Sequence, residues 1–350
     1  MARRRASART AETVEQALDQ LRGILTFEGK DARSLLYREL VLNALKCQRD
    51  ELDVLDLKVI NRAVSEFRYA ARVFKPYRRV RKVSVFGSAR VAVGAPYYDL
   101  AVQFGRLLAQ QGWMVITGGA DGIMRAGIEG AGPEKSFGVN ILLPFERPAK
   151  VMQDDPKLVR FRYFFTRKIF FVMEADAFAL FPGGFGTHDE TFEVLTLVQT
   201  GKAPPMPLVL MELPGERYWE SWDAFVRGEL LARNFIAPED LSFYKITHSP
   251  EEGLGWIRWF YSTYHSSRYV GNRLVIRLEK ELRDEQITEL NEKFRDVIES
   301  GDIAKTAALV EEEAEPEIRQ KPRIVFSHRR KSAGRLNEMI LTINRMGEGV

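Results

Sequence analysis

Apolar positions recur at steps of three and four over residues 11–75, the period of an amphipathic helix. Leu36, Leu40 and Ala44 fall on one face, as do Val59, Ala63, Phe67 and Ala70–Ala71. TVEQALDQLRGIL and SLLYRELVLNALKCQRDELDVLDLKVINRAVSEFRYAARVF are therefore expected as helices, broken near Gly29 and Asp31 and ending at Lys75-Pro76. From residue 82 to about 265 the pattern changes. Short, almost continuously apolar runs read as strands buried on both faces: 82–88, 113–119, 137–144, 177–182 and 207–212. Helical runs fit between and after them at 97–111, 122–131, 163–175, 187–200 and 219–234. Ser249-Pro250-Glu251-Glu252 carries the cap, the first-position proline and the third-position Glu of a further helix start.

Alternation of this kind predicts an α/β fold, a Rossmann-like doubly wound parallel sheet. Strand-like runs at 273–278 and 323–327, with charged helices around 283–299 and 333–345, predict a small α/β region at the C-terminal end. The expected organisation is a basic disordered tail (1–10), a helical N-terminal extension (11–78), a Rossmann-like domain (79–268) and a C-terminal α/β extension (269–350). The acidic run EEEAEPE (311–317) reads as a solvated link.

Composition narrows the classes. With 45% hydrophobic residues over 350 positions, the chain is long enough for a sizeable core. No apolar run reaches membrane-span length, and no apolar segment of a signal peptide follows the basic start, so a cytoplasmic protein is expected. A single cysteine, Cys47, rules out an internal disulfide or a cysteine metal cluster and reads as a small buried helix residue. No paired-histidine metal spacing occurs, so no metal is expected. The net charge of +4 suits an anionic ligand, although the stretch MARRRASAR supplies four of the arginines.

Candidate chemistry gathers where strands lead into helices, the edge at which open parallel sheets bind ligands. Three glycine-bearing junctions lie there: FGSAR (86–90), TGGADGIM (117–124) and PGGFGTHDE (182–190). Glycines allow close backbone approach, and a following helix offers free amides to an anion. Together they point to a phosphate-bearing ligand. Neither GxxxxGK[ST] nor GxGxxG is present, which argues against a P-loop nucleotidase or an NAD site. Thr187 and Glu190 have the spacing of a capping box, in which both are structural. Glu190 also suits a carboxylate placed beside a bound sugar phosphate. The local pattern leaves both readings open. Arg167 likewise reads as a core ion-pair partner or as a phosphate ligand. His248, His265 and His328 read as surface or satisfied histidines, whereas His188 lies inside the third junction.

Taken together, Pro182-Gly183-Gly184-Phe185-Gly186-Thr187-His188-Asp189-Glu190, the Arg167-Lys168 pair, Gly118-Gly119-Ala120-Asp121-Gly122-Ile123-Met124 and Gly87-Ser88 resemble the Lonely Guy (LOG) family of nucleoside 5′-monophosphate phosphoribohydrolases, historically mislabelled lysine decarboxylases. The similarity covers about residues 80–250 and is nearer the larger bacterial branch. It implies hydrolysis of the N-glycosidic bond of a nucleoside monophosphate, AMP or a cytokinin-like adenylate, to free base and ribose 5-phosphate. It also implies that Arg167 and Glu190 are catalytic. Gly87, Ser88, Gly118, Gly119, Met124, Lys168, Gly183, Gly184, Gly186 and Thr187 would hold substrate and phosphate. No cofactor is expected, and Lys168 belongs to the Arg-Lys pair rather than to a pyridoxal phosphate site. A homodimer or larger even-numbered homo-oligomer is implied, without membrane or nucleic-acid partners. Asp121 and Asp189 are weak candidates for the general acid. The alternative is a non-catalytic carrier of a nucleotide or of molybdenum cofactor. A single-stranded nucleic-acid binder ranks last, resting only on the basic tail.

Overall fold

The computed structural model describes residues 31–143, 150–312, 316–330 and 333–348. The basic tail and the expected helix beginning at Thr13 lie outside these residues.

The chain divides into two compact units, residues 1–67 and 68–350. Helix α1 (Ala32–Arg49) is capped by Asp31, whose carboxylate accepts from the amides of Arg33 and Ser34 at 3.0 and 3.1 Å. The sequence pattern reads as one unbroken helix from there to Phe74, but the chain stops at Asp50 and restarts as α2 (Val54–Phe74). Glu51 takes a left-handed φ of 52°, and the Asp53 carboxylate accepts from the amides of Leu55 and Asp56. A short acidic side chain therefore caps a new helix more favourably than it continues an old one. No residue of α1 is buried, and Cys47 is half-exposed rather than in a core.

The second unit follows in order: β1 (Lys82–Phe86), α3 (Pro96–Gln110), β2 (Met114–Thr117), α4 (Ile123–Ala131), β3 (Ser136–Ile141), β4 (Leu158–Phe161), α5 (Phe164–Met173), β5 (Ala177–Leu180), α6 (Phe185–Gln199), β6 (Leu208–Met211), α7 (Tyr218–Phe225), β7 (Tyr244–Thr247) and α8 (Pro250–Phe260). A π-helical stretch, Val226–Leu231, continues α7. Beyond it lie β8 (Tyr264–Val270), β9 (Arg273–Leu278), α9 (Asp284–Lys293), β10 (Ile298–Lys305), β11 (Arg323–His328) and α10 (Ala333–Gly347).

The seven strands β1–β7 form one wholly parallel sheet in the order β4-β3-β2-β1-β5-β6-β7. The fold is the expected doubly wound α/β. Strand residues alternate between two buried faces. Val83, Val85, Val115, Ala177, Ala179, Val209 and Met211 pack with Phe104 and Leu108 of α3, Ile123 of α4 and Leu254 and Ile257 of α8. The opposite face carries Phe86 against Phe171 (ring centroids 4.6 Å) and Phe137 against Phe74 (4.2 Å). The two strands absent from the sequence reading, β4 and β7, are the sheet's edges. Each is four residues long and interrupts its apolar positions with Arg160 or Lys245. Edge strands need cover on fewer sides, so they lack a continuous apolar run.

The C-terminal region holds a four-stranded antiparallel sheet in the order β10-β11-β9-β8, with a core of Leu274, Ile276, Leu290, Phe294, Phe326, Met339 and Ile340. The sequence showed β9 and β11, the two central strands, and not β8 and β10, which flank them. The acidic link is not wholly solvated. Glu312 is buried and receives Arg277 Nε at 2.8 Å and Arg323 Nη1 at 2.8 Å.

Candidate active site

In this strand order the chain lays down β2, β3 and β4 on one side of β1 and β5, β6 and β7 on the other. Loops leaving the carboxyl ends of β1 and β5 diverge there and leave a crevice. The Ser88 amide donates to the Pro182 carbonyl at 3.0 Å and ties the first and third glycine junctions together across it. The second junction joins them, since the Ile123 amide donates to the Ser88 carbonyl at 3.1 Å.

A cavity of about 720 Å³ opens at this edge. Gly87, Ser88 and Arg90 line it from β1, Gly118 and Met124 from β2 and α4. Arg167 enters from α5, and Gly183, Gly184, Gly186, Thr187 and Glu190 come from the β5–α6 junction. Glycine is required at two of these places. A Cβ on Gly183 would collide with Thr187 Oγ1 and stand 2.9 Å from the Ser88 nitrogen. One on Gly118 would sit 2.5 Å from both the Arg167 guanidinium and Met124 Sδ.

Arg167 is anchored by Nε, which donates to the Val139 carbonyl at 2.7 Å. Its guanidinium lies 5.1 Å from the centre of the Phe171 ring. Glu190, one turn into α6, is only 6% exposed. Burial pushes its carboxyl up to about 7; Lys168 and Arg167 pull it back, and Glu193 and Asp189 add to the rise. A carboxylate that titrates near neutrality inside a cavity, next to a fixed cation, is the kind of group that accepts a proton from water or answers developing positive charge.

The amino end of α6 faces the same cavity, so its first-turn amides and helix dipole favour an anion there. The capping box is not formed. Gly184 is the N-cap, and Thr187 lies inside the first turn with its amide bonded to the Gly184 carbonyl. The helix begins three residues before the start that a Thr187–Glu190 capping box would set, because the glycines let the chain turn directly into it. Glu190 is thereby released from a capping role.

Two residues grouped with the substrate lie elsewhere. Lys168 follows Arg167 on a helix, a rotation of about 100°, and turns away from the cavity to Asp189 Oδ2 at 2.8 Å and Glu193 Oε2 at 2.9 Å. Gly119 does not line the cavity; its φ of +67° makes the turn behind the wall, packed toward Gly138. Of the weak acid candidates, Asp121 is exposed near Arg125, while Asp189 lines the cavity but is held by Lys168. His265 is satisfied as expected, with a partner at Ser266; His328 meets Tyr269 through Nδ1, but its Nε2, like Nδ1 of His248, is buried with no hydrogen bond among the described residues.

The sequence reading missed Tyr218. Its hydroxyl donates to the Gly183 carbonyl at 2.5 Å and contacts His188 Nε2 at 2.7 Å. Burial holds the His188 imidazole below its ordinary range. No local pattern marks a tyrosine 30 positions from the histidine it meets. Phe185 was visible only as the variable position of the glycine motif, yet it is 97% exposed at the cavity rim.

Comparison with known proteins bears on this arrangement. A family model described as possible lysine decarboxylase matches residues 119–255. A probable cytokinin riboside 5′-monophosphate phosphoribohydrolase of Oryza sativa subsp. japonica is 31% identical over 165 residues, 46% of this chain and 64% of that protein. The matched region is similar to the LOG family of phosphoribohydrolases. A LOG-family phosphoribohydrolase of Arabidopsis thaliana is 27% identical over 165 residues, covering 46% of this chain and 73% of its own. The match spans less than two thirds of the first of these relatives' length, and the family model begins after the Gly87–Ser88 loop. Among solved structures, the molybdenum cofactor binding protein of Rippkaea orientalis overlaps 51% of this chain and 96% of its own at 21% identity and a TM-score of 0.36, too low to carry an argument. Lys168 of the Arg-Lys pair is held by two carboxylates, Asp189 at the cavity edge and Glu193.

Proposed function

We propose that this chain hydrolyses the N-glycosidic bond of a nucleoside 5′-monophosphate, AMP or a cytokinin-like adenylate, giving free base and ribose 5-phosphate. The observation that carries the proposal is the convergence of Arg167 and the buried Glu190 on a cavity whose floor is the amino end of α6. The volume suits a nucleotide.

In this reading the 5′-phosphate rests on the amides at the start of α6, with Gly183, Gly184, Gly186 and Thr187 as the cradle. Arg167 supplies the fixed positive charge. The ribose then lies along the first turn of α6, beside Glu190. As the C1′–N bond breaks, its electron pair leaves with the base and positive charge builds on the ribose, as in O-glycoside cleavage. Ionised Glu190 stabilises that charge and takes a proton from the water that forms the new C1′–O bond. The base nitrogen gains a proton, so one water is consumed for each base released.

The chain is also taken to work as an even-numbered homo-oligomer. Exposed Phe164, Phe165, Ile169 and Met173 on α5 and Phe192 on α6 support this, being apolar surface next to the site that a second copy would cover.

The test is a panel of AMP, other purine and pyrimidine monophosphates and prenylated adenylates, each beside its dephosphorylated nucleoside. Base release from monophosphates but not from nucleosides is expected, because the cradle holds phosphate. Tight nucleotide binding with no release from any member would replace hydrolysis with a carrier role.

A further inference from the structure

Away from the glycine junctions, β6 and β7 end side by side at the same edge of the sheet, and each is followed at once by a side chain able to hold a metal. Glu212 follows β6 and His248 follows β7. The Glu212 amide donates to the Thr247 carbonyl at 3.0 Å, which carries the strand pairing one residue further and sets the two side by side. A third such side chain, Glu220, arrives from the first turn of α7. One ligand-type atom from each of the three lies within 4.8 Å of the other two.

Two of these groups are left without partners where a partner is most needed. Glu212 is 0% exposed; its Oε2 accepts from the Trp219 amide at 2.7 Å, but Oε1 is buried and makes no hydrogen bond among the described residues. Nδ1 of His248 is likewise buried and unpartnered. Natural cores seldom leave such atoms bare, and a bare atom asks for an unseen ion or water. The missing partner must satisfy carboxylate oxygens and an imidazole nitrogen at once. A cation bonds both kinds of atom and offsets two adjacent negative charges.

We propose that Glu212, Glu220 and His248 bind one divalent first-row transition-metal ion of the Zn²⁺ type. The imidazole favours that class over Mg²⁺ or Ca²⁺, which prefer all-oxygen sites. Three protein ligands leave a position for water. Around a tetrahedral zinc, ligand atoms stand about 3.3 Å apart, so the site closes on binding. Glu220 is the arm able to close it, since it is exposed and, among the described residues, is held by Arg217 at 3.1 Å on the surface. The ion would pin the first turn of α7 to the sheet. That turn carries Tyr218, which reaches the Gly183 carbonyl. The metal is thus a positioning element behind the cavity and takes no part in bond cleavage.

The test uses tag-free full-length protein, dialysed against chelator and titrated calorimetrically with ZnCl₂, with Co²⁺ absorption as a second readout. One equivalent per chain is expected, with Co²⁺ ligand-field bands and no thiolate charge-transfer band. Glu220→Gln and His248→Ala should each weaken Zn²⁺ binding at least about tenfold. Glu220 is a surface residue, so its variant tests the site even if a change at His248 impairs folding. No uptake of Zn²⁺ or Co²⁺ at millimolar excess, or uptake unchanged in Glu220→Gln, would overturn the proposal.

Discussion

The backbone amide of Ser88 donates to the carbonyl of Pro182 at 3.0 Å, joining two loops 94 positions apart in sequence. That bond crosses the point where the sheet reverses its winding, and it needs Gly183 beside it to be bare. Gly183→Ala would force its Cβ into Thr187 Oγ1 and toward the Ser88 nitrogen. Overpacking of this kind costs about 1–3 kcal/mol, so thermal unfolding should shift down and nucleotide binding should be lost. Gly184→Ala meets nothing within 4 Å and should leave stability nearly unchanged.

Glu190→Gln should abolish catalysis while stabilising the fold above neutral pH. The folded-state carboxyl titrates at about 7, above its ordinary 4.5. A carboxyl raised in this way favours the folded state when protonated, so its stabilising contribution is full below about pH 4.5 and fades as pH rises through 7. Neutral glutamine carries no such loss. Denaturation at pH 8 should show the variant more stable than the parent by up to about 3 kcal/mol, with the difference shrinking toward pH 5.

The same titration sets the pH profile. If Glu190 must be ionised to take a proton from water, kcat/KM should rise with pH and reach half its plateau near pH 7, the value to which burial lifts the carboxyl. A profile flat from pH 5 to 8 would assign the base role to another group.

Much of this site was legible in the sequence because its chemistry is local. Gly183, Gly184, Gly186, Thr187 and Glu190 occupy one strand-to-helix junction, and Arg167 lies one helix upstream. What failed was of two kinds. The capping reading of Thr187 and Glu190 failed because a three-residue shift in the helix start, set by the glycines, is invisible to a spacing rule. Tyr218 and the Glu212–Glu220–His248 cluster were missed because their residues meet only when β6, α7 and β7 fold together. The edge strands β4 and β7 escaped for a physical reason as well: an edge position tolerates Arg160 and Lys245, which interrupt the apolar signature.

Tyr218→Phe removes the hydroxyl shared by the Gly183 carbonyl and His188. The loss should be modest in stability, about 1 kcal/mol, and larger in function, because the turn proposed to cradle phosphate loses its outer support. Steady-state kinetics should show KM for the nucleotide raised several-fold with kcat less affected.

Glu312→Gln tests the C-terminal region separately. The Glu312 carboxylate is buried between Arg277 and Arg323, and neutralising it leaves two guanidinium groups facing each other. Breaking a buried pair on one side costs about 3–5 kcal/mol, so thermal unfolding should begin earlier in the variant.

The central claim is that Glu190 drives cleavage of the bond between ribose and base. The most direct measurement is chromatography of AMP incubated with the wild-type protein and with Glu190→Gln, quantifying free base and ribose 5-phosphate together. The account predicts both products in equal amounts from wild type and neither from the variant. Intact AMP after incubation with wild type, or base release that survives in Glu190→Gln, would contradict it.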